Sequence, residues 1–147
     1  MRLITVCMMC AAQTACGGPP EGPEDSLRQW VAEAEAAAED LDRRGLVAMV
    51  SDSYADSRGN DRDAIDKTLR FYFLRQKSVE LVMKIDELTI IDETAAEVLV
   101  TAAGVGITTQ ALGVNADAYQ FSLELEKDDD EWMLIGARWG ELGQELH

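Results

Sequence analysis

Apolar residues recur at helical spacing through the first half of the body and at every second position through the rest. Leu27, Val31, Ala34, Ala38 and Leu41 fall three and four apart, the period of one helix face, and Trp30 and Ala37 widen that stripe. Pro23, Glu24 and Asp25 suit a helix start, since proline fits a first turn and acids favour the positive end of the helix dipole. Arg43 and Arg44 suit the negative end and Gly45 a left-handed stop, so the spacing predicts one helix over 24–44. Leu46 to Val50, closed by Ser51-Asp52, predicts one or two more turns. Ser57-Arg58-Gly59-Asn60 predicts a turn. Asp61 to Lys77 predicts a third helix that buries Ile65, Leu69, Tyr72 and Phe73, with Asp63/Lys67 and Asp66/Arg70 paired on its wet side.

The period then changes to two. Val79, Leu81, Met83 and Ile85 share one face, as do Ala96, Val98, Val100 and Ala102. Tyr119, Phe121, Leu123 and Leu125 alternate with Ala118, Gln120, Ser122, Glu124 and Glu126. Trp132 to Trp139 is a last strand, apolar on both faces, reached through a tight turn at Asp128-Asp129-Asp130. Trp132 and Phe121 have apolar neighbours two residues away and are expected in the core. Helices followed by a run of strands predict an α+β domain with an antiparallel sheet.

The N-terminal stretch has a different character. Met1-Arg2 precedes an apolar run, Leu3 to Ala15, too short to span a bilayer and suited to a secretory signal. Thr14-Ala15-Cys16 resembles the lipobox of bacterial lipoproteins, in which a small residue precedes the cysteine that is lipidated. Gln13 departs from the leucine usual three before that cysteine, and Cys10 is an alternative acceptor preceded by the larger Met9. The resemblance implies a signal peptide over 1–15, lipidation of Cys16, and a flexible tether over 16–23, where all three prolines of the chain lie. The domain would then span 24–143, with a short tail over 144–147. The location implied is the bacterial cell envelope, on the periplasmic side of the outer membrane.

Composition narrows the partners. The chain has 147 residues, enough for one core, and carries a net charge of −15. All 28 acids and all but one of the 13 bases follow Pro20. Such a surface repels phosphate backbones, so nucleic acid is not an expected partner, and contact with an anionic membrane is expected only through the lipid anchor. Cys7-x-x-Cys10 lies in the apolar leader, where nothing lowers a thiol pKa, and His147 is the only histidine. Asp128 to Glu131 are adjacent in a hairpin and do not make an oxygen cage. Neither a metal site nor a cofactor is therefore expected.

The order of elements resembles the nuclear transport factor 2-like superfamily. The likeness covers residues 24–143 and rests on the long first helix, "DRRGLVAMVSD" over 42–52, "DRDAID" over 61–66 and the closing hairpin "DDDEWMLIGARW" over 128–139. It implies a curved antiparallel sheet wrapped around three N-terminal helices, forming a cone with a pocket. Proteins of this kind include ketosteroid isomerase-like enzymes, dehydratases, polyketide cyclases and many members without catalysis.

Enzymes of this kind use aspartate, tyrosine or histidine inside the cone. The body has no histidine, which leaves Asp52, Tyr54 and Asp117 as catalytic candidates, with Asp56 beside Tyr54. A carboxylate base and a tyrosine donor would suit a cofactor-free lyase or isomerase acting on an acidic C–H. The competing assignment makes Asp52 a helix-end residue and the tyrosines core residues with wet tips. Tyr72, Met83, Tyr119 and Phe121 are the expected pocket lining. Because the inward faces are nearly all apolar, the sequence favours a binding or interaction cone for a small apolar ligand; a structural subunit of an envelope complex is the third alternative. Val82 and Leu99 lie opposite their strands' core faces, which, with the resemblance, implies a homodimer through the sheet face.

Overall fold

A computed structural model describes residues 22–108 and 114–147, with side chains except over 105–117. The leader, Cys16, the tether before Gly22 and the side chain of Asp117 lie outside the described residues. Helix α1 (Pro23–Glu39) starts at the proline and carries Glu24 and Asp25 in its first turn. It stops earlier than the spacing predicts, because Leu41 adopts a left-handed φ of 53°. Asp42 then caps a separate helix, α2 (Arg43–Ala48), accepting the Gly45 N–H at 3.0 Å. Arg43 and Arg44 therefore open a helix rather than close one. Gly45 is inside α2, where a Cβ would lie 2.4 Å from the capping carboxylate.

Helix α3 (Arg62–Phe73) is capped by Asp61, which accepts the Ala64 N–H at 2.8 Å. It packs inward through Ile65 and Leu69 and ends sooner than expected. Tyr72, expected to be buried, is 43% exposed, because the helix terminates at Phe73 and its last turn projects beyond the core. Asp66 pairs with Arg43 of α2 rather than with Arg70.

Four strands follow: β1 (Gln76–Ile90), β2 (Ala95–Thr108), β3 (Val114–Asp128) and β4 (Glu131–Glu141). They form one antiparallel sheet in the order β1-β2-β3-β4. The turn between β3 and β4 holds Asp129 and Asp130 at φ 46° and 67°, the left-handed pair that a two-residue hairpin requires. Register shifts at Lys77, Asp86 and Ile135 insert one extra residue each and bend the sheet. The stretch after α2 adds to the free side of β4: Ser51 N–H donates to the Leu134 carbonyl at 2.9 Å and Leu134 N–H to the Met49 carbonyl at 2.9 Å. The C-terminus also returns to β4, exchanging backbone hydrogen bonds between Trp139 and His147.

The core lies between α1 and the inner sheet face. Leu27, Trp30, Val31 and Ala34 meet Val98, Val100, Leu123 and Leu125, all buried. Both ends of α1 are tied to the sheet. Trp132 Nε1 donates to Ser26 Oγ at 2.8 Å. At the other end, Glu35 accepts the Met83 N–H at 2.6 Å and Glu39 accepts the Leu81 N–H at 3.0 Å.

Trp132 combines burial, 6% exposed, with that tie to α1. Trp132→Ala is expected to destabilise the domain by about 3–5 kcal/mol. Urea denaturation would measure it, and a loss under 1 kcal/mol would contradict the packing described.

Candidate functional site

The helices and the inner sheet face border an open-mouthed cavity of about 350 Å³. Trp30, Ala34 and Ala38 line it from α1, Ile65 and Leu69 from α3, and Leu81, Met83, Ala102, Phe121 and Trp139 from the strands. The alanines hold this space open: they stand where larger side chains would close it. No charged side chain is among the described lining residues.

Tyr54 brings the one hydroxyl in the lining and is only 3% exposed. Its O–H donates to Asp56 Oδ2 at 3.2 Å, so its proton is directed into the loop. Burial first, then the Asp56 charge, push the phenol well above the ordinary tyrosine range. Asp56 is saturated by its own loop: it accepts the backbone N–H groups of Arg58 and Asn60, each at 2.9 Å, and the Asn60 side-chain amide at 2.9 Å. Desolvation pulls its carboxyl upward, yet hydrogen bonds from Asn60, Arg58 and Tyr54 outweigh that and hold it below the usual carboxylate range. A carboxylate so occupied is a weak base, and a phenol so raised is a weak acid.

The other candidates are spread apart. Asp52 has a side chain 94% exposed, faces Arg62 at 3.4 Å and is not among the lining residues. Met83 and Phe121 line the cavity. Tyr119 is half-buried and leans on Phe121 with ring centroids 6.4 Å apart, outside the lining. Tyr72 sits at the exposed end of α3, which removes it from the pocket. The imidazole of His147 is exposed. Trp30 was read only as part of a helix stripe; its Nε1 is buried without a hydrogen-bond partner among the described residues. The alanines at 34 and 38 are the sequence signal for this region, since small side chains on an apolar stripe leave room beside it. Among the described residues no group of three or more His, Cys, Asp or Glu is placed to hold a metal ion.

This architecture, helices followed by a curved four-stranded antiparallel sheet around an apolar cavity, is the nuclear transport factor 2-like α+β cone. Solved structures with the same fold include a scytalone dehydratase-like protein from Novosphingobium aromaticivorans, 14% identical, with a TM-score of 0.71 over 84% of this chain and 89% of that one. A ketosteroid isomerase-like protein from Erwinia carotovora atroseptica is 15% identical, with a TM-score of 0.66 over 81% of this chain and 95% of that one. A hexachlorocyclohexane dehydrochlorinase from Novosphingobium barchaimii is 8% identical, with a TM-score of 0.66 over 84% and 88%. No family model matches the chain, and no curated protein matches it in sequence.

Tyr54 has a signature in alkali. A raised folded-state pKa means that its stabilising contribution is complete below the unfolded value near 10 and is lost as pH rises above it. Absorbance titration is expected to show Tyr54, one of three tyrosines, ionising only on unfolding. Tyr54→Phe should flatten the fall in stability above about pH 10. A phenol that ionises freely in the folded protein would contradict the geometry.

Proposed function

We propose that the protein is a lipid-anchored cell-envelope protein whose cone binds a small, uncharged, apolar ligand. The observation that carries this is the cavity of about 350 Å³, which the described residues line without a charged side chain. That volume lies at the lower end of the range for ligand pockets. A charged ligand would lose its hydration there and find no partner. The anchored location is supported by the Thr14-Ala15-Cys16 pattern. A cofactor-free lyase or isomerase, suggested by the dehydratase and isomerase-like relatives in fold, needs a carboxylate in the cavity, and among the described lining residues the one hydroxyl or carboxyl group is that of Tyr54. A structural role in an envelope complex has no observation of its own.

The neutral fluorophore N-phenyl-1-naphthylamine is the probe for the cavity, with Trp30 and Trp139 as energy donors in its wall. The expected result is micromolar binding that Ala102→Leu and Ala137→Leu each weaken at least tenfold, and displacement by dodecanol in preference to dodecanoate. Equal binding by the filled variants, or preference for the carboxylate, would overturn the ligand assignment. Cys16→Ser is expected to abolish incorporation of labelled fatty acid and leave a heavier precursor. A variant that is still labelled, or processed as the parent is, would overturn the anchor.

The same proposal includes a two-fold pairing through the outer sheet face. Val82 is 67% exposed there, opposite the cavity-lining Leu81 and Met83. Leu99 lies near a polar network of Glu97, Ser122 and Arg138. Light scattering is expected to give a dimer at micromolar concentration and a monomer for Leu99→Lys. A monomeric parent would remove the pairing.

A further inference from the structure

The end of α3 differs from the rest of the surface in both charge and polarity. Residues 67–77, KTLRFYFLRQK, hold four bases and no acid in a chain whose net charge is −15. Lys67, Arg70, Arg75 and Lys77 are all exposed. Among them stand Phe71, 61% exposed, and Leu74, 71% exposed. Leu74 continues the helical direction as the C-cap, with φ −62° and ψ −21°. Lys67, Phe71 and Leu74 therefore fall four and three apart along one side of the helix. The Arg75 guanidinium lies over the Phe71 ring at 4.3 Å, leaving a compact cationic and apolar end. Meanwhile Ile65 and Leu69 turn inward to line the cavity. The exposed pair is thus not the margin of the core but a second apolar feature of the same helix.

We infer that this end of α3 docks on an anionic lipid surface. Bases around exposed aromatic and aliphatic side chains match an interface of phosphate head groups over acyl chains. The long stems of Lys and Arg can follow the apolar side chains down while their charges stay with the phosphates. A protein partner generally needs roughly 800 Å² on each side, whereas this feature is a single helix end. A bilayer makes no demand for a broad complementary shape. The acidic net charge does not prevent the contact, because at physiological salt charges act over about 8 Å and the local sign decides. The contact is additional to any lipid on Cys16 and does not rest on the cavity's ligand. It would set the cavity-lining helix at the membrane face.

The test uses the full chain and sedimentation with two vesicle compositions: phosphatidylcholine alone, and a 3:1 mixture with phosphatidylglycerol. All variants keep the same N-terminal segment, so differences between them report on α3. The parent is expected to favour the anionic vesicles, with binding that weakens as salt rises. Lys67→Gln, Arg70→Gln and Lys77→Gln should each weaken that binding roughly fivefold. Phe71→Ser with Leu74→Ser should weaken it at least tenfold. These side chains are exposed, so unchanged melting curves should accompany the loss. The cavity-filling Ala102→Leu variant should bind vesicles as the parent does, which separates this result from the ligand assignment. Equal binding to both compositions, or parent-like binding by both sets of α3 variants, would overturn the inference. A change in oligomeric state for the serine variant without a change in vesicle binding would instead give the surface to a protein contact, and would overturn it equally.

Discussion

The seating of α1 across the curved sheet is the constraint on which the cone depends. Its N-terminal end is held at β4, where Trp132 donates to Ser26, and its C-terminal half is held at β1, where Glu35 and Glu39 accept strand N–H groups. The distances agree. Nine residues of helix from Ser26 to Glu35 rise about 13.5 Å, and three inter-strand gaps from β4 to β1 span about 14 Å. The helix is therefore a strut of the right length. Between its fixed points Leu27, Trp30, Val31 and Ala34 bury against the sheet. Where Ala34 and Ala38 face the cavity beside the β1 contacts, the strut keeps the walls apart without filling the gap.

Polar groups near the gap are managed by turning them away. A buried hydroxyl without a partner costs about 1–3 kcal/mol. Tyr54 avoids this by donating to Asp56, which is held by the tight loop ending at Asn60. Arg58 extends the same loop to β4, donating to the Trp139 carbonyl at 2.9 Å and lying 4.3 Å from its ring centroid. The arrangement that resembles an acid–base pair in sequence is thus a brace for one wall. Trp30 is the exception: its indole N–H stays buried and has no partner among the described residues, a cost that the packing of the ring must offset.

Much of the fold was legible because period and polarity report burial directly. The change from helical spacing to alternation falls where α3 gives way to β1, and the Asp128-Asp129-Asp130 turn was readable from its residues. The break at Leu41 was not, because Leu41 continues the apolar stripe and only its backbone conformation ends the helix. Strand lengths were underestimated because the ladder of β1 runs past the alternating core into Gln76 and Ile90 at its ends. The site was less legible. Asp52 and Asp56 look alike in sequence, yet one faces solvent and the other is enclosed by its own loop. The cavity is a gap between elements, and no local pattern states the distance between α1 and the sheet.

The way α1 is fastened bears on how the chain behaves in a crowd. β1 is an outer strand of 15 residues, and a long open edge is a template on which other strands can grow. Glu39 and Glu35 take the Leu81 and Met83 donors, while the extra residue at Asp86, paired with Lys84, disrupts the edge further along. Polymerisation along this edge is therefore opposed by the same contacts that seat the helix. A disturbance that lifts the helix from β1 would open the cavity and bare a growth site in one step, coupling loss of the closed cone to the onset of aggregation.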